Sequence, residues 1–262
     1  MWTSIGLGLV AGSLVSSWQA FKDPPWEGFV FHKFMRSILV GAVLGWCAFV
    51  LESRGWLRVD NQGLLLLTLL ATERLVGETY KGFIRPGAHP EYFKLIARLH
   101  LPVGHPLLRI LIGVLFLAGG LSLYWGFGQL GRVLIGAFGY TPLAGFLIGG
   151  AAGFMAATGG ALKDSQFEGF KPLKFIRSPI MAALSGAVLT SVSREPWLIS
   201  LGAVGCERVV VEFYKTFMRQ QVRGIHEGHP LLHPAWLAHR HWFMVSFLAA
   251  VAVCAILLTR RG

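Results

Sequence analysis

KDPPWEGFVFHKFMRS at residues 22–37 returns as KDSQFEGFKPLKFIRS at residues 163–178. Nine of the sixteen positions are identical: Lys22/Lys163, Asp23/Asp164, Glu27/Glu168, Gly28/Gly169, Phe29/Phe170, Lys33/Lys174, Phe34/Phe175, Arg36/Arg177 and Ser37/Ser178. A second block, ERLVGETYKGFIR at 73–85, returns as ERVVVEFYKTFMR at 207–219, keeping Glu73/Glu207, Arg74/Arg208, Glu78/Glu212, Tyr80/Tyr214, Lys81/Lys215, Phe83/Phe217 and Arg85/Arg219. Two such blocks in one order identify an internal duplication, which fixes the architecture before any single residue is interpreted. The offset falls from 141 to 134 between the blocks, so the connection that separates them is seven residues shorter in the second half. A fainter echo, GHPLL, stands at 104–108 and 228–232.

Around these polar blocks the chain is apolar. Of 262 residues, 54% are hydrophobic and 14% charged, and mean hydropathy is +0.57, far from a soluble domain with about 25% charged residues. A spanning helix needs about 20 apolar residues. The apolar windows predict eight spans, near 3–21, 37–53, 62–83, 107–127, 141–162, 178–193, 197–217 and 240–259. Residues 129–142 read as a linker, and the first run reads as a retained helix rather than a cleaved signal, since no basic segment precedes it. Repeat 1 then covers 1–132 and repeat 2 covers 133–262, forming one compact transmembrane domain. Four helices per repeat return the chain to its starting side, so the repeats run parallel about a pseudo-two-fold axis along the membrane normal.

The net charge of +11 is explained mainly by orientation. Connections 1, 3, 5 and 7, with the helix ends flanking them, hold 16 of the 24 Lys and Arg residues, which places that side in the cytoplasm. A bacterial inner membrane and anionic lipid at the basic face account for the positive loops without nucleic acid. Segment 90–101 reads as an amphipathic helix on the membrane surface. Cys47, Cys206 and Cys254 lie in apolar stretches and suggest neither a disulfide framework nor a zinc site. Glycines at four-residue spacing, Gly8/Gly12 and Gly145/Gly149/Gly153, mark close helix packing inside the protein, with a homodimer seam as the lesser use.

Within the first box, Lys22 and Lys163 are expected to end helices, where exposed carbonyls favour a cation. Ser37 and Ser178 are expected as N-caps, Ser178 being followed by Pro179. Gly28 and Gly169 permit a tight bend between them. In the second block, Arg74, Glu78 and Lys81 share one helical face, as do Arg208, Glu212 and Lys215; Glu73 with Tyr80, and Glu207 with Tyr214, form the neighbouring stripe. Arg74 lies seven residues from Lys81, about 10 Å deeper along the helix. Ionisable groups at membrane depth cost at least about 2.5 kcal/mol each when exposed to lipid, and they face the bundle interior.

Such a set either pairs with itself and locks the fold, or binds a ligand. Arginine suits phosphate and carboxylate, because its fork donates two hydrogen bonds at once. The expected function is a membrane transporter or channel for a small anionic or phosphate-bearing solute, with no cofactor and a pseudo-symmetric site facing the cytoplasm. Arg74, Lys81, Arg208, Lys215, Lys22, Lys163, Arg36 and Arg177 supply ligand cations; Glu78 and Glu212 position them or carry protons; Glu73 and Glu207 form the deeper coupling pair. One alternative is a membrane enzyme acting on a lipid phosphate head group, with a divalent metal on Asp23, Glu27, Asp164 and Glu168. The other is a scaffold subunit of a membrane complex. Histidines gather near the same face, but HEGHP at 226–230 is not a zinc-protease motif and reads as interfacial.

Overall fold

The computed structural model describes residues 1–84, 105–220 and 230–260, with the backbone alone at 81–82 and 162–168. Ten α-helices form among the described residues, with no strand: α1 Trp2–Lys22, α2 Pro24–Glu27, α3 Phe31–Ser53, α4 Gln62–Thr79, α5 Pro106–Phe138, α6 Pro142–Glu168, α7 Pro172–Leu189, α8 Pro196–Phe213, α9 Trp236–His239 and α10 His241–Thr259. Helices α4 and α8 each continue into one π-helical turn, Tyr80–Ile84 and Tyr214–Met218. Five segments are long and apolar enough to cross a membrane: α1, α3, α5, residues Pro142–Ala161 of α6, and Trp236–Thr259. The described residues are therefore all-helical, and their five spanning-length apolar segments mark a multi-pass membrane protein.

Backbone-to-backbone crossings define the packing. In α1 and α3, a Cβ added at Gly8 would stand 2.0 Å from Gly41 O, one at Gly12 would stand 2.2 Å from Ser37 O, and one at Gly45 would stand 2.2 Å from Ser4 O. At the offset of 141, Gly149 meets Ala182 O at 2.2 Å and Gly186 meets Gly145 O at 2.2 Å, between α6 and α7. These glycines are small because two helices touch there, which is how membrane helices gain dispersion contact when lipid offers no hydrophobic gain. Helices α4 and α8 cross at the centre, where Gly205 faces Leu67 O at 2.1 Å.

The last long helix of each half packs on the other half. Helix α10 lies against α1 and α4, with Ser17 Oγ donating to Ser246 Oγ at 3.1 Å and the Trp18 and Phe247 rings 6.1 Å apart. Helix α5 lies against α6 and α8, where Gly128 and Gly131 accept Trp197 and Pro196. On the other side of the bundle, Asp60 accepts from Ser193 Oγ at 2.8 Å and from Arg194 N at 2.6 Å, and Asn61 caps α4 at Leu64 N while donating to Leu258 O at 3.1 Å.

Several local expectations are corrected. Residues 129–138 are not a linker but the end of α5, a continuous 33-residue helix, because no proline or capping signal interrupts its apolar run before Gly139. Ser37 and Ser178 do not cap helices: α3 starts at Phe31 and α7 at Pro172, so Pro179 falls inside α7. The break comes earlier, at Gly28 and Gly169, whose φ values of +73° and +71° suit glycine. Beyond each bend, Phe34, Ser37 and Gly41, or Phe175, Ser178 and Ala182, repeat at helical spacing and hold the helix against its neighbour. Lys22 does end α1, whereas α6 runs five residues past Lys163 to Glu168. The predicted surface helix at 90–101 and His89, His100, His226 and His229 lie outside the described residues.

Candidate functional site

The duplicated ERxxxE blocks occupy the final turns of α4 and α8, the two helices at the centre of the bundle. That position buries their carboxylates: Glu73 is 2% exposed, Glu207 1% and Glu212 8%. A buried carboxylate requires a partner, since an unpaired one is costly out of water. The two halves supply partners differently. In the first, Arg74 Nη2 lies 2.8 Å from Glu78 Oε1 across one helical turn. In the second, Arg208 Nε instead lies 3.4 Å from the adjacent Glu207, whose other oxygen accepts from Ser178 Oγ at 2.7 Å. Glu212 is held across the halves by Lys22, Nζ to Oε2 at 2.7 Å, with Thr216 Oγ1 at 3.4 Å from the same oxygen.

The remaining members of the set fall into place around these pairs. Lys33 pairs with Glu27 within the first bend. The Arg36 guanidinium sits 5.4 Å from the centre of the Tyr80 ring, and Arg219 covers Tyr214 at 5.5 Å while donating from Nε to its hydroxyl at 2.8 Å. Asp23 stands at the N-cap position of α2. The side chains of Lys81, Lys163, Asp164 and Glu168 lie outside the described residues. Among the described residues, no group of three or more His, Cys, Asp or Glu side chains could hold a metal ion.

A space lies between α6, α7 and the end of α8, with Arg208 in its wall. It is a partly open cavity of about 60 Å³. Five cations line it, Lys171, Lys174, Arg177, Arg208 and Lys215, together with the Ser178 hydroxyl, and no described carboxylate does. The Arg177 Nε is buried without a hydrogen-bond partner among the described residues. Like charges gathered in one wall repel one another, and Glu207, 3.4 Å from Arg208 Nε, offsets part of that repulsion. Of the residues expected at a site, Arg177, Arg208 and Lys215 thus converge on one cavity. Arg208 does so while paired with Glu207, whereas Lys22 with Glu212 and Arg74 with Glu78 form ion pairs and are not among the cavity's wall residues.

Sequence reasoning did not single out Lys171 or Lys174 for a site, and read Ser178 only as a cap, whereas all three line the cavity. Lys174 belongs to the repeated box, and Lys171 stands where the first half has Val30, so comparison of the halves carried the signal. Comparison of the chain with known protein families, curated proteins and solved structures yields no match.

Proposed function

We propose that the protein is a membrane transporter or channel for a small anionic or phosphate-bearing solute. Eight helices of 18 to 33 residues support eight spans in two parallel repeats, with a pseudo-two-fold axis along the membrane normal. The glycine crossings matched at an offset of 141 favour the same reading. The basic connections face the cytoplasm of a bacterial inner membrane, where they also attract anionic lipid.

One observation carries the functional reading: a cavity walled by five cations lies among helices apolar enough for the bilayer. Cations at such a position are retained for a pathway or a ligand. Arg177, Arg208 and Lys215 bind the anion, while Glu207, held by Ser178 and beside Arg208, couples binding to helix movement; Glu73 is its counterpart in the first half. Proteoliposomes containing the purified chain are expected to take up labelled phosphate above protein-free vesicles, and Arg208→Gln with Lys215→Gln to abolish the difference. Vesicles that take up neither phosphate nor small carboxylates overturn transport.

A second reading, a scaffold subunit, draws on the self-pairing of Lys22 with Glu212 and Arg74 with Glu78. It predicts a protein stable only with its partners and silent in the flux assay.

A further inference from the structure

Two of the cations in the cavity wall already answer to carboxylates. Arg208 lies against Glu207, and Glu212 acts on Lys215. An anion that enters therefore competes for them, and the two carboxylates are placed differently for that contest. Glu212 keeps Lys22, Nζ to Oε2 at 2.7 Å, even when Lys215 turns to a ligand. Glu207 has no such reserve: among the described residues, Arg208 is the one cation at ion-pair distance from it. That hold is loose as well. Arg208 Nε stands 3.4 Å from Oε2, beyond the ~2.7–3.2 Å of an N–H···O hydrogen bond, and Oε2 accepts from no described donor.

Glu207 stands directly behind the wall, 1% exposed. Both of its contacts are made by wall residues, Arg208 on Oε2 and Ser178, whose Oγ donates to Oε1 at 2.7 Å. Helix α5 brings Tyr124 within electrostatic reach of Glu207 and Arg208, and α7 brings Lys174 and Arg177 to the cavity. Helix α4 carries Glu73 and Arg74, with Arg74 paired to Glu78. Over Pro142–Ala161, α6 carries no titratable side chain, and on its own helix Glu207 acts on Cys206.

We infer that binding of an oxyanion in this cavity is coupled to the uptake of one proton by Glu207, which surrenders Arg208 to the anion. This rests on the anion reading above and supplies its coupled ion. The guanidinium turns to the anion, to which its fork offers two hydrogen bonds at once. The abandoned carboxylate, out of water, is neutralised rather than left charged. One proton from water in the partly open cavity forms an O–H bond at Oε2, while Ser178 goes on donating to Oε1. No bond within the anion forms or breaks. When the anion leaves, Arg208 returns to Glu207 and the proton goes back to water. Anion and proton therefore strengthen each other's binding by the same factor.

Calorimetric titration of the full chain in detergent tests this apart from transport, with sulfate as the probe and phosphate beside it. Sulfate is fully ionised near neutral pH, so a proton drawn from the buffer goes to the protein, and buffers of different ionisation enthalpy count it. Expected is an uptake approaching one proton per sulfate, with affinity falling by up to about tenfold per pH unit across the range of uptake. Infrared difference spectra with and without sulfate are expected to show a new carboxylic-acid C=O band. Glu207→Gln, a neutral isostere, is expected to bind sulfate with neither the proton nor the band, and its unfolding temperature checks its fold. Glu52→Gln, an exposed carboxylate at the far end of α3, keeps both. Repeating the titration in nanodiscs distinguishes the source of the anion. Displacement of sulfate by phosphatidate assigns the cavity to a lipid head group, its absence assigns it to free solute, and either supports the coupling when the proton is counted. Sulfate binding without proton uptake, or uptake and a band that survive in Glu207→Gln, overturns the coupling and leaves the anion reading standing. Failure of both sulfate and phosphate to bind the wild-type chain removes the anion reading and the coupling with it.

Discussion

Lys22 and Glu212 lie 190 residues apart in sequence and 2.7 Å apart in space, with 14% and 10% of their side chains exposed. Removing one partner of a buried pair strands the other, at a cost of about 3–5 kcal/mol, whereas removing both is close to neutral. Lys22→Met is expected to lower stability by that order in chemical unfolding, and Lys22→Met with Glu212→Gln to recover most of it. Glycines give a sharper contrast at the same scale. Gly8→Ala drives a methyl into Gly41 O and is expected to cost about 1–3 kcal/mol. Gly159→Ala, with nothing within 4 Å, is expected to stabilise α6 by about 0.5–1 kcal/mol through helix propensity. Thermal unfolding in detergent separates the two, which sequence spacing alone cannot, since both residues sit in similar apolar, glycine-rich runs.

Among the elements, most helices were legible because apolar runs of spanning length announce them. Those read differently were set by contacts. A polar box such as residues 22–37 looks too charged for a membrane helix, yet twelve of its sixteen residues are helical, since Phe34 and Ser37 pack on α1 while Lys33 answers Glu27. Helix α5, about 50 Å long at 1.5 Å per residue, exceeds a hydrocarbon core of about 30 Å, and in sequence the excess reads as a connection. Nothing local announces that α10 lies on α1, because its apolar surface shows no single polar face. A cross-link tests that contact: in a background where Cys47, Cys206 and Cys254 are replaced by serine, Ser17→Cys with Ser246→Cys is expected to oxidise to an intramolecular disulfide that alters gel mobility. Either cysteine alone is not.

For the molecule as a whole, the duplication was written plainly in the identical residues, whereas the cavity is written in those that differ. Arg177, Arg208 and Lys215 have twins in the first half, so the repeat alone does not tell which copy lines the described cavity. Ala156, Ala157 and Gly160 are part of its wall, and alanine and glycine in an apolar helix draw no notice until their twins, Val15, Ser16 and Gln19, prove larger. The proposed eight spans give a further expectation: reporter tags on the N- and C-termini report the same side of the membrane, opposite to a tag inserted in the connection between α6 and α7. Tags on opposite sides would mean an odd number of crossings.

The crossed position of α10 also bears on how the chain is made. Helix α1 leaves the ribosome long before α10, so the surface that α1 and α4 offer to α10 stays uncovered until α10 is made. The early helices wait in the bilayer with Ser17 and Trp18 lacking Ser246 and Phe247, and a chain terminated before α10 is expected to expose that amino-terminal surface.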